Sequence, residues 1–258
     1  MTLASPRWTA LVLAGQRPGI DPLASHFGQE IKAQVQVAGQ PMLARVLETL
    51  RHTPDIARIV VLAQDRRVLD GIDAEGIVFA ASTQGISSSI RAVAGGTDAP
   101  WPLLVTTADH PLLTPEIVAG FLSRAGVCDL AVGMVDSATL FAAYPDNRRT
   151  WLKFRDGWWS GANLFALGGP ATVRALDLWA GAEQDRKQAW KLFLHFGPVL
   201  ALRALTRTIG LSDALARAGK RLGLSARLVP LPFAEAAIDV DKPADHALAE
   251  EILRARAS

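Results

Sequence analysis

The chain is predicted to be an α/β protein with a mostly parallel central sheet flanked by helices, and three observations carry this. Its first half alternates short apolar runs with amphipathic stretches. The first runs, Ala10–Ala14 and Arg58–Ala63, lack the apolar–polar alternation of a half-exposed strand. The stretches between runs have the length and periodicity of crossover helices. In such a fold ligands bind at the carboxyl ends of the strands.

The elements follow in order. Ala10–Ala14 reads as a central strand that empties into a glycine-bearing loop, Gly15-Gln16-Arg17-Pro18-Gly19. Pro41 to Arg51 reads as a helix, with Met42, Leu43, Val46, Leu47 and Leu50 on one face. Arg58–Ala63 and Gly76–Ala80 are the second and third strands, and Ser88 to Ala94 is a short helix. Pro102–Thr107 is a fourth strand. Thr114-Pro115-Glu116 opens a helix with a hydroxyl cap, a proline in the first turn and an acid near the positive end. Leu130–Val135 is a further strand. The rhythm then changes. Trp151–Arg155, Asp156-Gly157, Trp158-Trp159 and Asn163–Leu167 read as a β-hairpin with an Asp-Gly turn and a following strand. Pro170 to Leu224 is helical in pattern, broken at Gly197-Pro198 and Gly210. Arg227–Leu231 and Ala237–Val240 read as returning strands, and Pro243 to Arg256 as a final amphipathic helix. With no clear linker and no repeat, residues 1–258 read as one domain with a helical insertion at about 170–224.

Composition narrows the function classes. A length of 258 residues, 50% hydrophobic and 20% charged, is that of a globular chain able to bury a sizeable core. A net charge of +2 gives no argument for a nucleic-acid partner. The lone cysteine, Cys128, excludes an internal disulfide framework and reads as a buried structural thiol. No apolar run reaches the roughly 20 residues that span a bilayer. Leu192–Leu205 comes nearest, interrupted by His195, Gly197, Pro198 and Arg203. The chain reads as cytoplasmic.

Four clusters could carry chemistry. The first is the loop after the first strand, with Lys32 beyond it. Backbone N–H groups at such a turn cradle phosphate, and a lysine adds charge. The loop has neither the Walker Gly-Lys-Ser/Thr nor the dinucleotide Gly-x-Gly-x-x-Gly spacing. The second is Ser82–Arg91, where Ser87-Ser88-Ser89 outnumber what a helix cap needs. They read either as cap and turn residues or as contacts to a base or ribose. The third is Val105-Thr-Thr107-Ala-Asp109-His110-Pro111. A carboxylate at the end of a buried strand needs a partner or a metal, or else caps a turn. His110 reads as a loop histidine beside a proline. The fourth is Ala237-Ile-Asp239-Val-Asp241-Lys-Pro-Ala-Asp245. On a strand, Asp239 and Asp241 share a face and repel unless a cation sits between them. Asp241 could instead cap the last helix, with Asp245 in its first turns. With Asp109 these acids offer the hard oxygen ligands that Mg²⁺ prefers.

In this order the clusters resemble the MobA-like NTP transferases, which include guanylyl- and cytidylyltransferases. The resemblance rests on Leu11–Gly15, Lys32 with Val37–Leu43, Gly85–Ala92, Leu104–Thr114 and Ile238–Asp245. It is good over the first half and the last stretch, and poor from about Ala138 to Pro230. It implies a Rossmann-like GT-A nucleotidyltransferase fold. It also implies Mg²⁺-dependent transfer of NMP from an NTP, CTP or GTP, to a phosphorylated small-molecule acceptor with release of pyrophosphate. By position, it assigns Arg17, Lys32 and Asp109 to catalysis. Leu13, Ala14, Gly15, Lys32, Gly85, Ser88, Ser89 and Thr107 are assigned to the nucleotide. Asp109, Asp239 and Asp241 are assigned to the metal, and Asn163 to the acceptor. The chain departs from the pattern at Gln16, where glycine is usual, and Arg17 lies early.

Two other classes remain open: a non-catalytic nucleotide-binding module on the same fold, and a GT-A glycosyltransferase. The second is disfavoured because Thr107-Ala-Asp109 has one acid where Asp-x-Asp would stand, and Asp239-Val-Asp241 lies near the C-terminus. Glu183, Arg186, Lys187 and Lys191 beside Trp190, Leu192 and Phe193 read as a solvated helix face, or as an acceptor-phosphate or peripheral membrane site. Oligomeric state has no signal in the sequence.

Overall fold

A computed structural model describes residues 7–83, 85–184 and 196–257. The sheet is built from β1 (Trp8–Leu13), β4 (Ile56–Ala63), β5 (Ile77–Ala81), β6 (Leu103–Thr107), β7 (Leu130–Asp136), β9 (Gly157–Leu167) and β10 (Ala226–Pro230). Their order is β10-β7-β9-β6-β1-β4-β5, and β8 (Leu152–Phe154) pairs with β9. All neighbours are parallel except at β9 and β8, which run antiparallel to their partners. A two-residue hairpin, β2 (Gln36–Val37) with β3 (Gln40–Pro41), stands apart.

The central strand explains why the interior is apolar on both sides. Ala10 and Val12 of β1 join the larger core on one face, with Met42, Leu43, Val46, Leu47 and Leu50 of α2 (Met42–Arg51). Ile117, Val118 and Phe121 of α4 (Pro115–Ala125) pack into the same core. Leu11 points the other way, to Val60, Leu62, Leu103 and Val105 and to Ile90 of α3 (Ile86–Val93). Successive strand residues point to opposite faces, so a strand covered on both sides must be apolar throughout.

The helical caps follow the sequence. Thr114 caps α4 by accepting from the Ile117 N–H, and Asp21 caps α1 (Pro22–His26) by accepting from Leu23 and Ala24. Asp136 caps α5 (Ser137–Ala143), a helix without a sequence signal strong enough to announce it. Between β9 and β10 lie α6 (Val173–Gln184), α7 (Pro198–Leu205) and α8 (Leu211–Arg221). α9 (Pro243–Ala257) ends the chain. No helix among the described residues is long and apolar enough to cross a membrane.

Three sequence expectations change. Ala237–Val240 is not a strand: residues 234–237 form a 3-10 turn and Ile238–Val240 continue as extended coil. The hairpin's second arm and the strand after it are one strand, β9, which runs through Asn163 with a positive φ of 51° and a register shift opposite Val132/Met134. His110 lies in a loop, as read, and is fully buried there. Cys128 is only half-buried; its thiol donates to the Ala125 carbonyl, and burial raises its pKa. Arg186, Lys187, Trp190, Lys191, Leu192 and Phe193, read as a helix face, and the Glu183 side chain lie outside the described residues.

Candidate functional site

The parallel strands β1, β4, β5 and β6 all deliver their carboxyl ends to one edge, and the predicted loop lies there. Ala14 extends β1, its N–H donating to the Leu62 carbonyl. The loop is then clasped by two glutamine amides. Gln64, just past β4, accepts from the Gln16 N–H at 3.1 Å and donates to the Gln16 carbonyl at 3.0 Å. The Gln16 side chain in turn donates to the Glu30 carbonyl at 3.0 Å and accepts from the Lys32 N–H at 3.0 Å. A Cβ on Gly15 would stand 3.0 Å from the Gln64 amide, so a larger residue would push against the clasp. Leu13 closes β1 half-buried, while Gly15 and Arg17 are exposed. Arg17 makes no hydrogen bond or ion pair among the described residues.

Lys32 opens the 3-10 turn Lys32–Gln34. Its ammonium donates to Asp109 Oδ2 at 2.6 Å and to Asp241 Oδ1. Asp109 sits two residues past β6, and its carbonyl accepts from the Val240 N–H at 2.8 Å. That bond helps fasten the C-terminal segment to the end of the sheet. Oxygens of Asp109, Asp239 and Asp241 lie within 4.8 Å of one another. Asp239 is gripped from the other side: Arg149 pairs with its carboxylate, and Asn163 Nδ2 donates to Oδ2 at 3.2 Å. Asp245, buried in the first turn of α9, accepts from the Asp241 and Lys242 N–H groups at 3.2 Å and lies 3.8 Å from Arg149. Thus the structure brings together Lys32, Asp109, Asp239, Asp241 and Asn163.

The charges do not balance within this group. Among the described residues, Asp109, Asp239, Asp241 and Asp245 form ion pairs with two cations, Lys32 and Arg149. The remainder of two negative charges is what a divalent cation would neutralise. Asp109 Oδ1 is buried with no hydrogen-bond partner, which leaves a hard oxygen lone pair for an ion. The donor set therefore fits Mg²⁺. Burial pushes the Asp109 carboxyl up, but the Lys32 charge and hydrogen bond outweigh it and hold its pKa below the usual value. For Lys32, burial opposes the charge, and the two aspartates prevail and raise its pKa. Burial lowers the Arg149 pKa, against the pull of Asp245, Asp241 and Asp109.

The second cluster is placed elsewhere. The Ser82 N–H donates to the Ala63 carbonyl, so this loop continues from β5 beside the end of β4. Three strand spacings, about 14 Å, separate β5 from β6 in the sheet. Gly85 is the N-cap of α3. The buried Ser89 hydroxyl donates to the Gly85 carbonyl at 2.6 Å and accepts from the Thr83 N–H at 2.8 Å. Ser88 Oγ is 2.7 Å from Thr83 Oγ1. Both hydroxyls are therefore engaged in shaping the loop. Thr107 ends β6 half-buried beside Asp109. His110 bonds the Glu235 carbonyl at 3.3 Å, and burial lowers its pKa to about 4, so it is neutral.

Sequence reasoning missed Arg149, Gln64 and the bracing role of Asp245. Arg149 contacts an aspartate 90 residues away, a separation that carries no local signal. Gln16 had only the signal of standing where glycine is usual.

Comparisons with known proteins agree with this geometry. The model of the MobA-like NTP transferase domain matches residues 10–214. A 2-C-methyl-D-erythritol 4-phosphate cytidylyltransferase from Frankia casuarinae is 28% identical over 98% of this chain and 84% of its own length. A 3-deoxy-manno-octulosonate cytidylyltransferase from Burkholderia ambifaria is 33% identical, over 38% of this chain and 37% of its own. A solved structure of a hypothetical transferase from Thermus thermophilus superposes with a TM-score of 0.79 at 29% identity. It covers 93% of this chain and 99% of the other.

Proposed function

This chain belongs to the MobA-like NTP transferase family and is a nucleotidyltransferase with a GT-A-like fold, and from that premise we propose that it transfers CMP from CTP to a phosphorylated small-molecule acceptor. The full-length relative is a cytidylyltransferase acting on a sugar-alcohol phosphate by its name, which supports both the base and the acceptor class. The observation that carries the reading is the Lys32 ammonium lodged between Asp109 and Asp241 at the end of the sheet. A cation held by carboxylates beside the loop after β1 can move to an incoming triphosphate. Residues 1–258 act in this reading as one nucleotidyltransferase domain.

An acceptor phosphate oxygen attacks the α-phosphorus. The bond from that phosphorus to the bridging oxygen breaks, and pyrophosphate leaves with the electron pair. The attacking oxygen is already ionised, so no general base is required, in keeping with a buried, neutral His110. The backbone of Ala14 and Gly15 borders the phosphates, and Lys32 with the exposed Arg17 neutralises the charge that builds on them. The Gly85–Ser89 loop, which follows β5 two strands beyond β1, would take the nucleoside end in this reading, and Thr107, at the end of β6 on the other side of β1, would border the phosphates. Asp109, Asp239 and Asp241 would hold Mg²⁺, which when bound screens repulsion between the two anionic substrates. Asn163 orients Asp239 and borders the acceptor side.

The test pairs binding with turnover. CTP with Mg²⁺ should raise the melting temperature more than GTP, ATP or UTP, because a ligand of the native state stabilises by mass action. A panel of phosphorylated polyols and sugars should then release pyrophosphate. Asp109→Asn should fold and lose turnover by a factor of at least about 100, the scale of a lost charge-stabilising group. Turnover retained in Asp109→Asn, or no metal-dependent shift with any NTP, would overturn the reading.

A further inference from the structure

Helix α7 has no buried residue, although Val199, Leu200, Ala201, Leu202, Ala204 and Leu205 make up most of its length. Val199, Leu202 and Leu205 are 68%, 60% and 81% exposed. Spaced three apart, they form one stripe. Scattered exposed aliphatics are ordinary; a stripe on one helix marks an interaction face.

The stripe borders an open, cation-lined cavity of about 340 Å³, walled by Val199, Leu200 and Arg203 of α7 and by Arg217, Lys220 and Arg221 of α8. No carboxylate among the described residues lines it. The acid on α8, Asp213, lies 3.7 Å from Arg155 instead. Gly197 keeps the space beside Arg221 open: a Cβ there would stand 2.8 Å from the guanidinium. From Phe196 to Leu224 the chain carries Arg203, Arg207, Arg217, Lys220 and Arg221 against Asp213, five minus one or +4, more than the +2 of the whole chain.

We propose that α7 and α8 form a docking surface for an anionic lipid bilayer, with the Val199/Leu202/Leu205 stripe entering the headgroup boundary and the α8 cations pairing with lipid phosphates. Charge complementarity and the apolar stripe together select this occupant. The stripe needs an apolar partner and the cavity an anionic one, and a lipid surface supplies both at adjacent depths. Protein hot spots favour tryptophan, tyrosine and arginine over leucine and valine, so an aliphatic stripe fits lipid better than a protein partner. Three aliphatic side chains anchor weakly, so the attachment is reversible and sensitive to salt.

The test is co-sedimentation of the full chain with vesicles of phosphatidylcholine alone and of phosphatidylcholine mixed with phosphatidylglycerol. Pelleting is expected with the mixed vesicles only and should fade as salt rises. Arg217→Ala with Lys220→Ala should lower partitioning by about fivefold per removed cation. Leu202→Ser with Leu205→Ser should lower it as well, with the circular-dichroism spectrum and the nucleotide-induced thermal shift unchanged. Failure to pellet with anionic vesicles at low salt overturns the proposal, as does pelleting that neither variant alters. A dimer in the wild type that Leu202→Ser with Leu205→Ser converts to monomer would also overturn it, by assigning the face to a second copy. None of these outcomes depends on turnover, so the nucleotidyltransferase reading stands or falls separately.

Discussion

Lys32→Met separates the two roles of the ammonium. At rest it neutralises Asp109 and Asp241, whose oxygens with those of Asp239 lie within 4.8 Å of one another. Two carboxylates at that distance repel by about 3 kcal/mol at an effective dielectric of about 20. Because Asp241 is 63% exposed, solvent reduces its share, and we expect a stability loss of about 1–3 kcal/mol in metal-free buffer. The same change removes a competitor for the carboxylates. Mg²⁺ alone should therefore raise the melting temperature of Lys32→Met more than that of the wild type, with apparent affinity at least about tenfold higher. Turnover should move the opposite way, falling by about 100-fold or more as the triphosphate loses its cation. Differential scanning fluorimetry across a Mg²⁺ series, beside a pyrophosphate-release assay, reads both. A Mg²⁺ shift equal to or smaller than that of the wild type would refute the claim that Lys32 and a divalent ion share these carboxylates.

Gln16→Ala removes two hydrogen bonds and leaves the Lys32 N–H unpaired, which should cost about 1–3 kcal/mol and speed hydrogen exchange at the Lys32 amide. Turnover should fall while Gln64→Ala produces a similar loss; full protection of that amide in Gln16→Ala would show the clasp to be idle. His110 has its pKa lowered to about 4 from an ordinary 6.5, so the unfolded chain binds the extra proton and stability declines as pH falls from about 6.5 toward 4. The loss by the bottom of that window is on the order of 3 kcal/mol, and denaturation across the range should give a flatter slope for His110→Gln.

The strands were legible because β1, β4 and β6 are covered on both faces and so carry unbroken apolar runs. The same periodicity misled at Ala237–Val240. Its apolar–acid alternation matches a strand, yet residues 234–237 coil into a 3-10 turn packed against β7 and β9, and Val240 bonds the Asp109 carbonyl instead of joining a ladder. Lys32, Asp109, Asp239 and Asp241 could be singled out because their residue types stand in order along the chain. Arg149 and Gln64 could not, because each acts through a partner that only folding brings near. Gln16 is the instructive case: as a sequence it is a departure from glycine, while in space its amide ties the loop after β1 to the lysine. Ser88 and Ser89 fit the cap-and-turn reading in that their hydroxyls bond within their own loop.

Asp239 and Asp241 look equivalent in sequence, but their surroundings assign them different duties. Asp239, 20% exposed, is fixed by Arg149 and by Asn163, whose left-handed backbone at the β9 register shift aims its amide at Oδ2. Among the described residues the Asp241 carboxylate pairs with Lys32, and it is largely in solvent. On the proposed Mg²⁺ reading, Asp239 would be the preset oxygen and Asp241 the one shared between lysine and metal. Replacing Asp239 strands Arg149, itself only 10% exposed, beside a single more distant carboxylate, Asp245 at 3.8 Å. Breaking one side of a buried pair costs about 3–5 kcal/mol, so Asp239→Asn should unfold at markedly lower denaturant. Asp241→Asn removes an exposed partner and should cost no more than about 1 kcal/mol. Both should weaken Mg²⁺ binding, but only Asp239→Asn should do so at the expense of the fold. Equal stability of the two variants would mean that Arg149 and Asn163 do not hold Asp239 in place, and the division of labour between the two acids would fail.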